Sequence, residues 1–428
     1  MEHPVFSKIA QGERGIASYC TANAFVLEAL LSHAAQSGET VLIEATANQV
    51  NQFGGYTGMQ PKDFRELVYR IAEHAGCKRE QILLGGDHLG PLTFSHLPER
   101  EAMAHAITLV RQYVSAGYEK IHLDTSMRLK DDDPDAPLED ATVARRGVAL
   151  YRAAIEAYEE RKTTFPDVRR PVFIIGSEVP IPGGTQEKED SVTVTTPAAL
   201  RKTLKAYREA FASAGMPNGF SDVLAVVVQP GVEFGNDEIH FYDAQKAAAL
   251  AEAARQENIA LEGHSTDYQT PEHLKAMVKD GVRILKVGPA LTFALREALY
   301  ALSHIEKELV EKEKRAGFPE ALEAAMLENP AQWGKYYHGT ELERKCMRSY
   351  SLSDRCRYYF ALPTVQQAAD ALFDHLKDAR IPLGLLHQYL PRQYDKVVKS
   401  ELKAEPKALA FDCIAAVLDD YDYAVLQG

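Results

Sequence analysis

The first 300 residues of the chain alternate between two patterns of hydrophobic and polar positions. Short runs that are apolar at nearly every position and rich in β-branched residues predict buried strands. The stretches between them carry apolar residues at helical spacing, and several open with proline, which predicts amphipathic helices. The predicted strands are Gly15–Cys20, Val41–Thr46, Ile82–His88, Lys120–Ser126, Pro171–Glu178, Asp222–Gln229, Ile259–His264 and Ile284–Gly288. The predicted helices are Ala24–Gln36, Pro61–His74, Glu99–Ser115, Thr142–Glu160, Pro197–Ala214, Asp243–Gln256, Pro271–Lys279 and Leu291–Lys312.

The number of these units predicts the architecture. Strands that alternate with helices and are apolar throughout form parallel sheets covered on both faces. Eight such units close a barrel, whereas a doubly wound sheet usually has fewer strands. We therefore expect an α/β fold, a (β/α)8 TIM barrel, over residues 1–314.

Residues 315–428 lose this alternation, contain many aromatic side chains and predict a C-terminal α-helical extension packed on the barrel. Two interpretations of the aromatic block stay open. The block is a cap that packs against the barrel, or it covers the mouth of the active site or forms a subunit interface. The helices predicted in this part are Pro319–Leu327, Ala331–Tyr337, Ser353–Tyr359, Val365–Lys377, Ile381–Tyr389, Tyr394–Lys399 and Ala408–Leu418.

Composition and charge exclude several classes of protein. The net charge of −13 argues against a nucleic-acid partner, because a phosphate backbone requires a basic face. A small phosphorylated substrate stays compatible, since one or two local cations bind it. The five cysteines share no C-x-x-C spacing, which favours free thiols in a reducing compartment. The N-terminus has no apolar core of a signal peptide, and no run approaches about 18 apolar residues. We expect a cytoplasmic protein with no membrane partner.

Polar residues stand at the ends of the predicted strands, where barrel enzymes carry their functional groups. A single acid at such a position often caps the next helix. Repetition of the pattern on seven strands of eight is not explained by capping. The end positions are Glu44, Asp87 with His88, His122 with Asp124, Glu178, Gln229, His264 with Asp267, and Lys286 with Gly288.

Two histidines from different strands, together with carboxylates, are the ligands of a divalent metal such as Zn²⁺ or Mn²⁺. Such an ion acts as a Lewis acid on a substrate carbonyl. Asp87, which precedes one of the histidines, is then placed as a general acid or base. The alternative is that both histidines are hydrogen-bonded rim residues without a metal. The predicted ligands are His88, Glu178 and His264, completed by Asp124 or Gln229.

An anion site is predicted at the end of the eighth strand. Lys286 is suited to phosphate, or to a Schiff base as the alternative. Gly288, just before a helix, offers backbone N–H groups to an anion. The glycines of residues 51–58 permit close approach to a ligand, but no G-x-x-x-x-G-K-[ST] loop occurs anywhere. The predicted substrate or phosphate contacts are Glu44, Asn48, Gln49, Gly54, Gly55, Ser265, Lys286 and Gly288.

Long contiguous motifs are distributed over essentially the whole chain. They are residues 44–58 (EATANQVNQFGGYTG), 85–91 (GGDHLGP), 177–184 (SEVPIPGG), 228–234 (VQPGVEF), 263–270 (GHSTDYQT) and 285–296 (LKVGPALTFALR), with 350–355 (YSLSDR), 381–384 (IPLG) and 388–391 (QYLP) in the extension. In these motifs the chain resembles the Z-type subunit of D-tagatose-1,6-bisphosphate aldolase, the GatZ/KbaZ family of galactitol and N-acetylgalactosamine catabolism.

The resemblance implies an accessory role, in which the protein supports the activity and stability of a separate catalytic class II aldolase subunit. The family is also similar in layout to class II aldolases, whose catalytic Asp and first metal His correspond to Asp87 and His88. Their last metal His corresponds to His264. Where those enzymes have another metal His on strand 6, this chain has Gln229, which fits a protein that does not cleave the bisphosphate alone.

Relatives in the wider family imply an alternative, a metal-dependent C4 epimerase of a ketohexose or its 6-phosphate, of the fructose/tagatose type. In that function His88, Glu178 and His264 hold the metal. Asp87 moves protons together with Asp124 or Asp267. A kinase activity, an older label of this family, is excluded by the missing phosphate loop. The sequence leaves open whether the chain forms a homo-oligomer.

Overall fold

The computed structural model describes residues 2–176 and 192–426 of the chain. Eight parallel strands close a barrel in which each strand pairs with its neighbours in the chain and the eighth pairs with the first. After the sixth strand, Glu233–Phe234 and Ile239–His240 pair as a short antiparallel hairpin. This confirms the predicted TIM barrel. The barrel strands are β1 (Ile16–Cys20), β2 (Val41–Thr46), β3 (Ile82–Leu89), β4 (Lys120–Leu123), β5 (Val172–Ile175), β6 (Val223–Val228), β7 (Ala260–Gly263) and β8 (Val282–Val287).

A helix follows each strand, and proline opens several of these helices where its missing N–H costs no hydrogen bond. Within the described ranges, none of the helices combines the length and apolar character that a bilayer span requires. The helices of the barrel part are α1 (Pro4–Gln11), α2 (Ala24–Ser37), α3 (Pro61–Ala75), α4 (Glu99–Ala116), α5 (Asp140–Thr164), α6 (Pro197–Ser213), α7 (Ala244–Glu257), α8 (Pro271–Lys279) and α9 (Pro289–Leu309).

The N-terminal half of the barrel interior is apolar. The first inward-facing side chains of the strands form a buried cluster separate from the main core between strands and helices. Helix α1 completes it with Val5, Phe6 and Ile9, all three buried. Helix α1 therefore closes the end of the barrel opposite the predicted site. Strand residues of the cluster include Ile16, Leu42, Leu83, Val172, Ile174, Leu224, Val227 and Ile284.

The extension is helical, but three of its elements differ from the prediction, one of them because the helix predicted at Ser353–Tyr359 is a 3₁₀ turn. The helix predicted at Ala331–Tyr337 is wrong, because only a 3₁₀ turn, Pro330–Gln332, forms there. Helix α11 was not predicted, although Thr340 and Glu343 form the reciprocal capping box that marks a helix start. The helices of the extension are α10 (Phe318–Glu328), α11 (Glu341–Tyr350), α12 (Pro363–Leu376), α13 (Leu383–Tyr389), α14 (Pro391–Val398) and α15 (Pro406–Leu426), and a 3₁₀ turn spans Arg355–Tyr359.

Helix α15 ties the extension to the barrel. It lies against α2, α8 and α9, and its Tyr421 hydroxyl is 2.9 Å from both the hydroxyl and the carbonyl oxygen of Thr266. The backbone N–H of Gly15 donates to the carbonyl of Val425. The extension thus reaches the loop after β7. The division of the chain into domains at residues 314 and 315 stays a prediction.

Candidate functional site

The end of β3 aims two consecutive side chains into the same space. Successive residues of a regular strand point to opposite faces. Here the pairing with β4 shifts between Gly86 and Leu89, and His88 adopts a positive φ of 50°. Such an irregularity redirects side chains, and backbone strain of this kind concentrates at functional sites. Asp87 and His88 therefore both face the barrel mouth.

Four buried side chains from three strand ends converge at this mouth. Each of Asp87, His88, His122 and His264 offers one potential ligand atom, and these atoms all lie within 4.8 Å of one another. Three imidazoles and a carboxylate are a ligand set for Zn²⁺ and related divalent ions. The structure thus brings together three residues of the predicted site and adds His122.

Carboxylates on the far side of two imidazoles fix their orientation. His88 Nδ1 lies 2.9 Å from Asp124 Oδ2, and His264 Nε2 lies 3.0 Å from Glu262 Oε1. A carboxylate that binds one ring nitrogen leaves the other nitrogen with its lone pair, the arrangement found around metal-binding histidines. Asp124, predicted as a ligand or acid, is placed behind His88 instead.

His122 gives a test of whether the cluster suits a cation. Its Nδ1 lies 2.8 Å from Asp87 Oδ1 and 3.2 Å from the backbone nitrogen of His88. Its Nε2 is buried and has no hydrogen-bond partner among the described residues. A buried imidazole nitrogen without a partner is costly, and a bound ion removes that cost. The residues present therefore fit a divalent metal.

Below the cluster, two lysines lie inside the barrel between carboxylates. Lys120 Nζ is 2.6 Å from a carboxylate oxygen of Glu44 and 2.6 Å from one of Glu262. Lys286 Nζ is 2.6 Å from Glu44 and 2.6 Å from Asp87. Lys286 thus occupies the space between Glu44 and Asp87, where Cys20 also offers its thiol. These ion pairs, and not a free phosphate, satisfy the charge of Lys286.

With neutral histidines, the buried charges of the site do not balance. Four buried carboxylates (Glu44, Asp87, Asp124 and Glu262) face two ammonium groups (Lys120 and Lys286), which leaves two negative charges if the histidines are neutral. A divalent ion bound here would supply the missing charge, and protonation of His88 would supply part of it.

The same excess of negative charge acts on His88. Burial alone lowers the pKa of this histidine, but the carboxylates of Asp87 and Asp124 outweigh burial and raise it. By contrast, burial, with Lys286 and His88 nearby, lowers the pKa of His264 to about 3. The imidazole of His264 is therefore neutral at pH 7 and able to bind a cation.

Asp267 lies at the rim and fills the anion site predicted there. Its Oδ1 accepts the backbone N–H groups of Gly288 and Ala290 at 3.0 and 2.8 Å, at the start of α9. Burial raises the pKa of Asp267 to about 6, although these N–H groups act in the opposite direction. The helix terminus therefore already holds a carboxylate of this chain.

The other predicted residues divide into cavity walls and supporting positions. Asn48, Gln49 and Ser265 line the cavity above the cluster, together with Asp267, Lys286 and Gly288. Gly54 and Gly55 shape the loop instead, because a Cβ on Gly55 would lie 2.4 Å from the Gln49 carbonyl oxygen. The Gln229 side-chain oxygen accepts the N–H groups of Gly231 and Val232 within its own loop. Glu178 lies outside the described residues.

The sequence reasoning missed part of the site. His122 and Lys120 alternate with apolar residues along β4, and this period of two marks them as inward-facing. That signal was available. Arg357 and Tyr358, which line the cavity from the extension, follow no strand end, and no pattern in the sequence announces them.

Known proteins similar to this chain cover nearly all of it. The family model described as "D-tagatose-1,6-bisphosphate aldolase subunit GatZ/KbaZ-like" matches residues 1–426. Proteins named D-tagatose-1,6-bisphosphate aldolase subunit GatZ, from Klebsiella pneumoniae and Salmonella heidelberg, are 45% and 44% identical over 421 residues, 98% of each chain. A crystal structure of a probable tagatose 6 phosphate kinase from Sinorhizobium meliloti 1021 is 44% identical with a TM-score of 0.87, covering 96% of this chain and 100% of that one.

Proposed function

Because the chain belongs to the GatZ/KbaZ-like family of D-tagatose-1,6-bisphosphate aldolase subunits, we propose that it is the accessory subunit of a class II aldolase of this kind. In this role it supports the activity and stability of a separate catalytic subunit. The observation that carries the proposal is similarity over the whole length at 45% identity to proteins with that name. These names do not favour the C4 epimerase, and the missing phosphate loop argues against a kinase.

A docking surface for the catalytic subunit is proposed on α11. Most aromatic side chains of the extension face inward: Trp333, Tyr337 and Phe360 are buried. Leu342 and Tyr350, at the two ends of α11, remain 77% and 58% exposed. Interfaces between proteins bury aromatic and aliphatic side chains at their centre, and these two are the large exposed apolar side chains of α11. This proposal refines the expectation that the aromatic block of the extension contacts a partner.

The barrel mouth is proposed to bind Zn²⁺ or Mn²⁺ through Asp87, His88, His122 and His264, with Glu178 retained as a candidate from the sequence. Gln229 is not retained, because its side-chain oxygen accepts N–H groups of its own loop. A divalent ion held by these residues would supply Lewis acidity toward a carbonyl oxygen of the ligand. Asp124 and Glu262 orient two of the imidazoles, and Lys286 holds Asp87 ionised. The pKa of Asp267, about 6, suits this residue to proton transfer near neutral pH.

The ligand of this mouth is proposed to be a ketohexose phosphate of the tagatose or fructose type. Asn48, Gln49 and Ser265 offer amide and hydroxyl groups to sugar hydroxyls. The cluster lies below them, where the carbonyl end of such a sugar would lie.

The first test combines the chain with a catalytic class II tagatose-bisphosphate aldolase subunit. We expect higher aldolase activity and slower thermal inactivation of the catalytic subunit in the mixture than alone. A variant, Leu342→Asp, tests the docking surface. We expect it to weaken the effect on the catalytic subunit without changing the barrel. Unchanged activity and unchanged thermal inactivation of the catalytic subunit would contradict the accessory role.

The second test measures metal in the purified chain and the conversion of fructose 6-phosphate to tagatose 6-phosphate, with and without EDTA. We expect bound metal and no turnover by the chain alone. EDTA-sensitive turnover would instead make the chain an epimerase and its accessory role secondary.

A further inference from the structure

The cavity above the cluster contains one cation that no carboxylate of the described residues neutralises. Lys286 is paired with two carboxylates at 2.6 Å. The start of α9 is occupied by Asp267. Arg357 lines the same cavity, and no carboxylate among the described residues lies within 4 Å of its guanidinium. Among the arginine and lysine side chains of the described residues that line this cavity, Arg357 is therefore the one whose charge is available to an anion, apart from the proposed metal cluster at the cavity floor.

Neutral groups hold the Arg357 side chain in place. Its Nη1 donates to the backbone carbonyls of Ser353 and Asp354, and its Nη2 donates to the Tyr358 hydroxyl at 2.8 Å. Burial acts to lower the pKa of Arg357, but Tyr358, Tyr56 and then the Asp354 carboxylate outweigh burial and raise it. The Asp354 carboxylate is itself bound to Thr292 and Arg296. The guanidinium is thus positioned in advance without losing its charge, which favours oxyanion binding.

The segment before Arg357 is fixed to the barrel. The Tyr268 hydroxyl, from the loop after β7, donates to the Leu352 carbonyl at 2.6 Å. The Leu352 N–H donates to the Asn236 carbonyl, and the hydroxyls of Ser351 and Ser353 lie 3.0 and 2.9 Å from Asn236 Oδ1. Hydrogen bonds to two barrel loops therefore hold this segment of the extension at the barrel mouth.

A second cavity of about 450 Å³ adjoins the first. Arg357, Cys20, Gln49, Tyr56 and Gly288 line both, so the guanidinium stands where the two cavities meet. The volume is within the range of small-molecule sites. The carbon chain of a single sugar therefore has room to extend from the His cluster past Arg357.

We propose that Arg357 of the extension binds the terminal oxyanion of a six-carbon sugar derivative, a sugar phosphate or a sugar acid, whose other end lies at the His cluster. The extension then completes the barrel pocket and does not merely cover it. This inference rests on the proposal that the pocket binds a small ligand, and it is independent of the catalytic partner.

The test is isothermal titration calorimetry of the metal-containing full chain with fructose 6-phosphate, glucuronate and fructose. We expect at least one of the two anions to bind more tightly than fructose. Arg357→Gln removes a charge-assisted hydrogen bond and should weaken the binding of that anion roughly 10- to 100-fold, with fructose binding unchanged. Arg357→Lys keeps a point charge and should weaken the binding of the anion less than Arg357→Gln does. Arg380→Gln, an exposed arginine of the extension, is the matched control and should change nothing.

The anion that binds more tightly identifies the oxyanion as phosphate or carboxylate. The proposal is overturned if neither anion binds more tightly than fructose to the unmodified chain, or if a folded Arg357→Gln variant binds the anion as well as Arg380→Gln does. Thermal unfolding checks the fold of each variant. If Arg357→Gln does not fold, two other measurements decide. Weaker anion binding by Arg357→Lys and weaker anion binding in added salt support the proposal, and unchanged binding in both overturns it. Stimulation of the aldolase is measured separately, so failure of this inference is distinguishable from failure of the accessory role.

Discussion

The two halves of the barrel interior have opposite character. In the N-terminal half, Leu42, Leu83 and Ile284 belong to a buried apolar cluster that also includes side chains of α1. One inward-facing position further along the same strands, the chain places Glu44 in β2 and Lys286 in β8, and these two form an ion pair. The same eight strands thus pass from an apolar layer to a charged layer, both of them buried.

The difference separates stability from function. Burial of apolar groups favours folding at about 25 cal/mol per Å². Buried ion pairs seldom exceed the stability that apolar residues of the same volume would give, because desolvation opposes their attraction. The charged half is therefore not explained by stability. Its carboxylates orient the imidazoles of His88 and His264, and this is a functional reason for their presence.

The largest effect is expected from His88→Ala combined with His264→Ala. This change removes two of the four proposed ligands and should abolish metal retention, while the apolar half keeps the fold largely intact. Metal analysis and circular dichroism of the purified double variant measure both. Stimulation of the catalytic aldolase subunit should stay nearly unchanged. Stoichiometric metal in the double variant would show that the site lies elsewhere.

The next effect is expected on stability in the charged half. Lys120→Met leaves Glu44 and Glu262 without the ammonium group that lies 2.6 Å from each. Loss of one partner from a buried ion pair lowers the free energy of unfolding by about 3–5 kcal/mol. Urea unfolding measures it, and Lys62→Met, on an exposed lysine, is the control with an expected change within about 0.5 kcal/mol. Equal stability of the two variants would mean that the buried charges are not coupled.

A smaller effect is expected in the apolar half. Ile284→Val removes one buried methyl group and should lower the free energy of unfolding by about 0.5–1.5 kcal/mol. Metal content should not change, because Ile284 belongs to the layer next to α1. Loss of metal in this variant would show that the two layers are not independent.

The sequence predicted the barrel better than the site. Eight periodic units determine closure, and the strand-end rule located Asp87, His88 and His264. The same pattern included His122, but Asp124, two residues further along, was predicted as the ligand in its place; the structure puts His122 in the cluster and Asp124 behind His88. Lys286 looked like a phosphate ligand because its partners Glu44 and Asp87 belong to strands far away in the chain.

Arg357 could not be predicted for a different reason. Its position depends on a 3₁₀ turn that begins after Asp354, a non-glycine residue with a φ of 45°. The turn is attached to the barrel through Asn236 and Tyr268, which are more than 80 residues away in the sequence. Local sequence patterns do not predict contacts between residues so far apart in the chain.

The smallest effect is expected at His3, the titratable residue that begins α1 beneath the apolar half. Its Nδ1 accepts the Val5 N–H at 3.2 Å, so the cap requires the neutral ring. Burial, followed by the positive charge of Arg169, lowers its pKa from 6.5 to about 4, and a backbone group of Glu80 acts in the opposite direction.

This lowered pKa fixes the sign of the pH dependence at His3. Between pH 6.5 and about 4 the unfolded chain binds a proton at this residue and the folded chain does not. The stability contributed by His3 is therefore present above pH 6.5 and is lost as the pH falls toward 4.

His3→Asn keeps an N-cap that does not titrate. Urea unfolding at pH 7 and pH 5 should show a loss of stability on acidification that is smaller in this variant by roughly 1 kcal/mol, because only the unfolded chain takes up a proton at His3 over this range. His338→Asn, on an exposed histidine, should leave the loss unchanged. If His3→Asn and the unmodified chain lose the same stability, α1 does not depend on its cap, and the apolar half closes by packing of Val5, Phe6 and Ile9 alone.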